Sequence, residues 1–203
     1  MAAGSISEKK FAECAIQLLE KSAHLKDCWT GEKSSSGEIY LQKRCTVPCR
    51  LPIPTTRERT LSDTQNIKEP VEDLDESSVQ NNASTSTSMV TFVYHVVYNA
   101  SYAVPVLYFN AYKPDGQLLS LEEVWAIVPQ HYQDRLREER WTFITQQEHP
   151  ILGRPFYQLH PCHTSTLMSQ ISDTPGSNYL ISWMSAVGPV LRLEMSLRYG
   201  EII

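Results

Sequence analysis

The chain has 203 residues, 41% of them hydrophobic, with 18 Lys and Arg against 23 Asp and Glu for a formal net charge of -5. That length suits one domain spanning 1–203 with a full core and is short for two. The mild acidity argues against nucleic acid as a partner, which needs a basic face to displace counterions. No apolar run reaches the length of a membrane span, which argues against stable membrane insertion, and the N-terminus MAAGSISEKKFAEC lacks the order of a secretory signal. A cytoplasmic protein is expected. Its cysteines, Cys14, Cys28, Cys45, Cys49 and Cys162, are then reduced thiols, and the sequons at Asn82 and Asn99 are inert.

In chain order, Ser5 and Glu8 have capping-box spacing, and Phe11, Ala15, Leu18, Leu19 and Ser22 recur at helical spacing, which predicts an amphipathic helix over 6–24. Its lysines are offset by Glu8, Glu13 and Glu20, so the apolar face suits a sheet better than a membrane. The stretch GEIYLQKRCTVPC alternates Ile39, Leu41, Lys43, Cys45 and Val47 against polar neighbours, as a strand does, with Pro48 expected to end it. From 55 to 88 Thr, Ser, Asn, Gln, Glu and Asp dominate; such a segment buries too little apolar surface to offset its ordering entropy and is expected to be a disordered insertion.

Two runs rich in Val, Tyr and Phe then flank the turn Asn99, Ala100, Ser101, which predicts a hairpin. Phe92, Tyr94, Val96 and Tyr98 share one face of its first strand and Val93, His95 and Val97 the other, so both faces should be covered. Whether the second strand, Val104 to Tyr112, is paired on both sides or is an edge open to a partner strand is undecided by sequence. Lys113 to Gly116 supply a turn. Leu119, Ser120, Glu123 and Val124 hold the positions of a hydrophobic staple around a capping box, starting a helix at Ser120 that Pro129 must kink or restart. Trp141 to Gln158 reads as a long connector with one short strand from Phe156 to Leu159. A short helix near Leu167–Ile171, a break at Pro175 and Gly176, and a helix through NYLISWMSAVGPVL with Tyr179, Trp183, Met184 and Val187 on one face complete an α+β domain: helices packed on a mostly antiparallel sheet.

The chemistry concentrates in QLHPCHTS, where Cys162 stands between His160 and His163. A zinc site would draw on these with Cys45 and Cys49, but that pair has three intervening residues and would lie about 13 Å apart on a strand, whereas structural zinc favours tight knuckles. A cysteine hydrolase would need a base such as His149 or His95 and an oxyanion loop, and no Gly-rich loop surrounds Cys162. A thiol that carries an acyl group needs only an accessible sulfur on a stiff loop and donors for the oxyanion, and Pro161 stiffens this loop. A structural cysteine beside solvated histidines remains the plain alternative.

VPVLYFNAY, ITQQEHPILGRPFYQLHPC and SWMSAVGPV together resemble the autophagy-related protein ten family, E2-like conjugating enzymes of a ubiquitin-like pathway. The resemblance runs from Phe92 to Val190 and implies an E2-like fold and a His-Pro-Cys motif at His160, Pro161 and Cys162, with Cys162 as the thioester-forming nucleophile. It further implies an E1-like activating enzyme (autophagy-related protein seven) and a modifier (autophagy-related protein twelve) as partners. The implied acceptor is autophagy-related protein five, and no metal or organic cofactor is expected. Ordinary ubiquitin-conjugating enzymes place His-Pro-Asn before the cysteine; here the asparagine is missing, and His160 and Tyr102 are the residues expected to supply part of its oxyanion support. The chain also lacks, after Val190, the extra C-terminal helices of those enzymes, so partner recognition is expected on other surfaces. The competing readings are a lipid-conjugating relative of the autophagy-related protein three type and a noncatalytic adaptor with the same fold.

Overall fold

The computed structural model describes residues 3–34, 37–52, 85–136, 143–171 and 177–201. Helix α1 (Glu8–Leu25) is capped by Ser7, whose hydroxyl accepts the Lys10 N–H, in place of the expected Ser5. It stops at Lys26, which takes the left-handed conformation with φ 58° and returns its N–H to Ala23. Phe11, Cys14, Ala15, Leu18 and Ser22 form its buried stripe.

Six strands form one antiparallel sheet: β1 (Thr30–Lys33), β2 (Ile39–Pro52), β3 (Thr85–Asn99), β4 (Val104–Tyr112), β5 (Ile144–Glu148) and β6 (Pro155–Leu159), in the order β1-β2-β3-β4-β6-β5. Pro48 does not end β2. The β1 ladder stops at Thr30–Gln42, so from Lys43 onward β2 pairs, among the described residues, only with β3, and an edge position tolerates a residue without an N–H. Leu41, Lys43, Cys49 and Leu51 are buried on the face that alternation indicated. Strand β3 begins at Thr85, so residues 85–88 belong to the sheet and not to the expected insertion; they pair with Cys49 to Pro52, and a backbone ladder does not need apolar side chains of its own. The remainder of that insertion, 55–84, lies outside the described residues.

The hairpin turns between Asn99 and Val104, and Phe92, Tyr94 and Val96 enter the main core, which lies between the sheet and the helices, while Val97 joins Tyr40, Val106, Tyr108 and Phe156 on the opposite face. Both faces of the hairpin are covered. Strand β4 is buried from Val104 to Ala111 and lies between β3 and β6, an interior strand. Helix α2 (Leu121–Ile127) has its reciprocal capping box, with the Glu123 N–H donating to Ser120 and the Ser120 N–H donating to the Glu123 carboxylate. Pro129 then separates it from α3 (Gln130–Leu136).

The expected connector before β6 contains a further strand, β5. Its sequence ITQQE buries only Ile144 and shows little alternation, so the signal lay in its partner β6 and not in itself. After β6 come a 3-10 turn (Pro161–His163), α4 (Thr164–Ile171) and α5 (Tyr179–Val187). The expected break at Pro175 and Gly176 lies outside the described residues. Helix α5 ends before the segment Gly188–Leu191, which is 3-10 with Pro189 inside it; Gly188 passes so close to the chain that a Cβ there would sit 2.5 Å from the Leu193 carbonyl oxygen. Leu180 and Ile181 are buried beside Tyr179, Trp183 and Met184, and Val187 is only partly buried.

Candidate active site

Strand β6 carries the chain from the core to the surface. Phe156 to Leu159 are buried, and the N–H of His160 donates to the Phe143 carbonyl at 2.9 Å, tying the strand end to the start of β5. Pro161 is buried at the first position of the 3-10 turn, where its fixed φ is already helical and its missing N–H costs nothing. Cys162 follows with an exposed side chain. The turn is capped from behind: His160 keeps an extended backbone and its Nδ1 accepts the Cys162 N–H at 3.3 Å. Accepting at Nδ1 leaves the ring proton of the neutral imidazole on Nε2, which is then the donor this side chain can offer.

The β3–β4 turn brings Tyr102 to the same place. The rings of Tyr102 and His160 meet edge to face, with centroids 5.9 Å apart and planes at 80°. Tyr102 is 46% exposed and is oriented through its backbone, whose N–H donates to the Asn99 side-chain oxygen at 3.0 Å. Asn99 thus does more than start the turn; an Asn at the start of a tight turn, able to bond the backbone ahead of it, is the signal that marks it. Tyr102, His160 and Cys162 thus converge from two separate segments.

The other candidates lie elsewhere. His95 and His149 bond each other, Nδ1 to Nε2 at 3.0 Å, inside a ring of Tyr40, Tyr108 and Phe156, and His149 accepts the N–H groups of Ile151 and Leu152 at Nδ1. Burial lowers both to about 4, helped for His95 by His149 and Arg154 and for His149 by Arg154. They are engaged in packing the outer face of the sheet. Cys45 and Cys49 stand on β2, and burial pushes both thiols up despite the opposing pull of Lys43 and Arg192, which disfavours the thiolates that a metal would require. Among the described residues no group of three or more His, Cys, Asp or Glu side chains is placed to hold a metal ion.

The arrangement is an exposed thiol on a proline-stiffened turn, with an imidazole against its backbone and a phenol against the imidazole. A family model described as "Autophagocytosis associated protein, active-site domain" matches residues 10–198. The chain belongs to this family. Within it, the ubiquitin-like-conjugating enzyme ATG10 of Homo sapiens is 36% identical over 208 residues, covering 97% of this chain and 93% of the relative. The enzyme of the same name from Arabidopsis thaliana is 46% identical over 112 residues, 51% of this chain and 50% of the relative. That from Dictyostelium discoideum is 38% identical over 121 residues, 53% of each, so in these two comparisons the chain spans about half the relative's length. The family places the chain among the E2-like conjugating enzymes of autophagy, a class that works with an activating enzyme and a ubiquitin-like protein.

Proposed function

We propose that Cys162 is the acyl carrier of this E2-like enzyme. The thiolate attacks the thioester carbonyl at the C-terminal glycine of the modifier, the activating enzyme's cysteine leaves as thiolate, and a new thioester joins the modifier to Cys162. An acceptor lysine amine then attacks that carbonyl, Cys162 leaves, and the amine's proton goes to solvent as the isopeptide bond forms. On the family resemblance, the activating enzyme is autophagy-related protein seven, the modifier autophagy-related protein twelve and the acceptor autophagy-related protein five. No metal or organic cofactor enters either transfer. The pairing of β2 with β3 on either side of residues 53–84 supports reading that stretch as an insertion within one E2-like unit.

The observation that carries the proposal is the exposed Cys162 directly after His160 and Pro161, with its amide held by His160 and Tyr102 against that ring. Tetrahedral intermediates need donors for the oxyanion, and loss of one such donor costs roughly 10²–10³ in rate in well-studied cases. Nε2–H of His160 and the hydroxyl of Tyr102 are assigned that role, in place of the absent asparagine amide.

Incubation with the activating enzyme, modifier and ATP, resolved without reductant, tests the carrier. Wild type should give a shifted band that thiol removes, Cys162→Ser a band that resists thiol, and Cys162→Ala none. If Cys162→Ala conjugates the acceptor normally, the protein is an adaptor. Normal discharge by both Tyr102→Phe and His160→Ala would remove the oxyanion assignment while leaving the carrier intact.

A further inference from the structure

The segment before α1 touches both halves of the candidate site. On one side the Ile6 N–H donates to the carbonyl of Ala103, the residue after Tyr102, at 2.8 Å. Ala103 holds φ 52°, a left-handed conformation that costs a residue with a Cβ, so a fixed partner at its carbonyl matters. On the other side Gly4 lies directly on α4: a Cβ on Gly4 would sit 1.9 Å from the Ser165 carbonyl oxygen and 2.5 Å from the Ser169 nitrogen. Helix α4 begins immediately after the turn that presents Cys162. Gly4 also has φ 78°, so both the space and the backbone there require glycine. The segment is itself anchored, with Tyr179 donating to the Gly4 carbonyl at 2.6 Å and Tyr98 to the Ile6 carbonyl at 3.1 Å, and Ile6 is buried.

We infer that Gly4 to Ser7 is a positioning strap that fixes the β3–β4 turn, with Tyr102, against α4 and the Cys162 turn. The strap rests on the proposed role of Cys162 and adds to it what sets the spacing between nucleophile and donors. The two segments it joins are far apart in the chain, and their relative placement matters because a displacement of about 1 Å in a reacting constellation can cost on the order of 100-fold in rate. The strap acts through Ala103, whose carbonyl accepts the Ile6 N–H, and through Ser165, against which Gly4 is packed.

Gly4→Ala tests the inference, with Gly116→Ala as the matched control: Gly116 has φ 85° in the Lys113–Gly116 turn, and a Cβ there meets nothing within 4 Å. Both variants pay similar backbone strain. Single-turnover discharge of preformed thioester separates the fraction of chains that charge from the rate constant of those that do. Gly4→Ala should lower the rate constant about ten-fold with the charged fraction and the acceptor KM unchanged, while Gly116→Ala matches wild type. Tyr179→Phe, which keeps the ring and removes only the bond to Gly4, should lower it two- to three-fold and serves if Gly4→Ala does not fold. A wild-type rate constant in both strap variants, an equal loss in Gly116→Ala, or a loss of charged fraction alone overturns the strap. A second arm needs no partner: iodoacetamide labelling of Cys162 relative to exposed Cys28, read by peptide mass spectrometry, should change at least two-fold in Gly4→Ala, and an unchanged ratio overturns it. If wild type never charges, the proposed function fails and this arm alone decides the strap.

Discussion

Nδ1 of His160 accepts the backbone N–H of Cys162 at 3.3 Å, two residues further along the chain. The imidazole therefore caps the turn and keeps Nε2–H as a donor it can offer. Substitution tests the two roles together. His160→Asn keeps a side-chain oxygen able to cap the turn and an amide able to donate, and should retain charging with discharge within about ten-fold of wild type. His160→Ala loses both and should slow discharge by about 10²-fold, the scale of a lost oxyanion donor. Quenched-flow discharge to the acceptor reads both, and equal rates for the two variants would show that neither the cap nor the donor bears on discharge.

Asn99 offers a second handle on the same turn, because its side-chain oxygen holds the Tyr102 backbone N–H. Asn99→Ala should slow discharge about three-fold, and Asn99→Asp, which keeps the accepting oxygen, should restore most of it. Discharge kinetics on the two variants checks the pair.

The His95–His149 pair makes stability depend on pH. Both sit near 4 in the folded chain against 6.5 unfolded, mainly through burial, so the unfolded chain binds more protons between those values. Their contribution is complete above pH 6.5 and is lost as pH falls towards 4, with a slope of up to about 1.4 kcal/mol per pH unit for each group that takes up a proton on unfolding. Protonation of His149 at Nδ1 would also break its bonds from Ile151 and Leu152. Urea midpoints measured between pH 7 and 4.5 should fall, and His149→Gln should flatten the curve by roughly half relative to wild type.

Lys43 is buried at 8% exposure because Asp27 pairs with it, and Asp27 in turn accepts the hydroxyl of Tyr199 at 2.7 Å. Asp27→Ala leaves the ammonium buried without its counter-charge and should cost about 2–3 kcal/mol, somewhat below the range for fully buried pairs because Asp27 keeps some exposure. Chemical denaturation measures it. Lys43→Met, which removes the charge and keeps the stem, should cost less.

Much of this architecture is legible in the sequence where local chemistry and tertiary demand agree. The hairpin shows itself because Phe92, Tyr94 and Val96 alternate with His95 and Val97 around a polar turn, and the start of α2 because Ser120 and Glu123 satisfy each other's backbone groups. Strand β5 is hidden because Gln146, Gln147 and Glu148 are exposed and owe their conformation to β6. Pro48 misleads for a related reason: whether it ends a strand depends on which edge lacks a neighbour, and that depends on where β1 stops. At the site, Cys162 and His160 stand in one short motif on either side of Pro161 and Tyr102 enters through the missing asparagine, but Gly4 and Ile6 carry no motif at all. Their importance comes from contacts with Ser165 and Ala103 that only the folded chain creates.

The β2–β3 ladder runs to its last pair at Pro52 and Thr85, which face each other across the sheet at about 5 Å between Cα atoms, the ordinary spacing of antiparallel partners. Chain leaving one strand there re-enters the next beside its point of departure. Such a junction is indifferent to length: each doubling of the intervening chain adds only about 0.6 kcal/mol of closure entropy. Pro52 and Thr85 are therefore a natural docking port for foreign sequence, where a fluorescent reporter or a recognition tag could replace residues 53–84 without changing the register that carries Tyr94 and His95 into place.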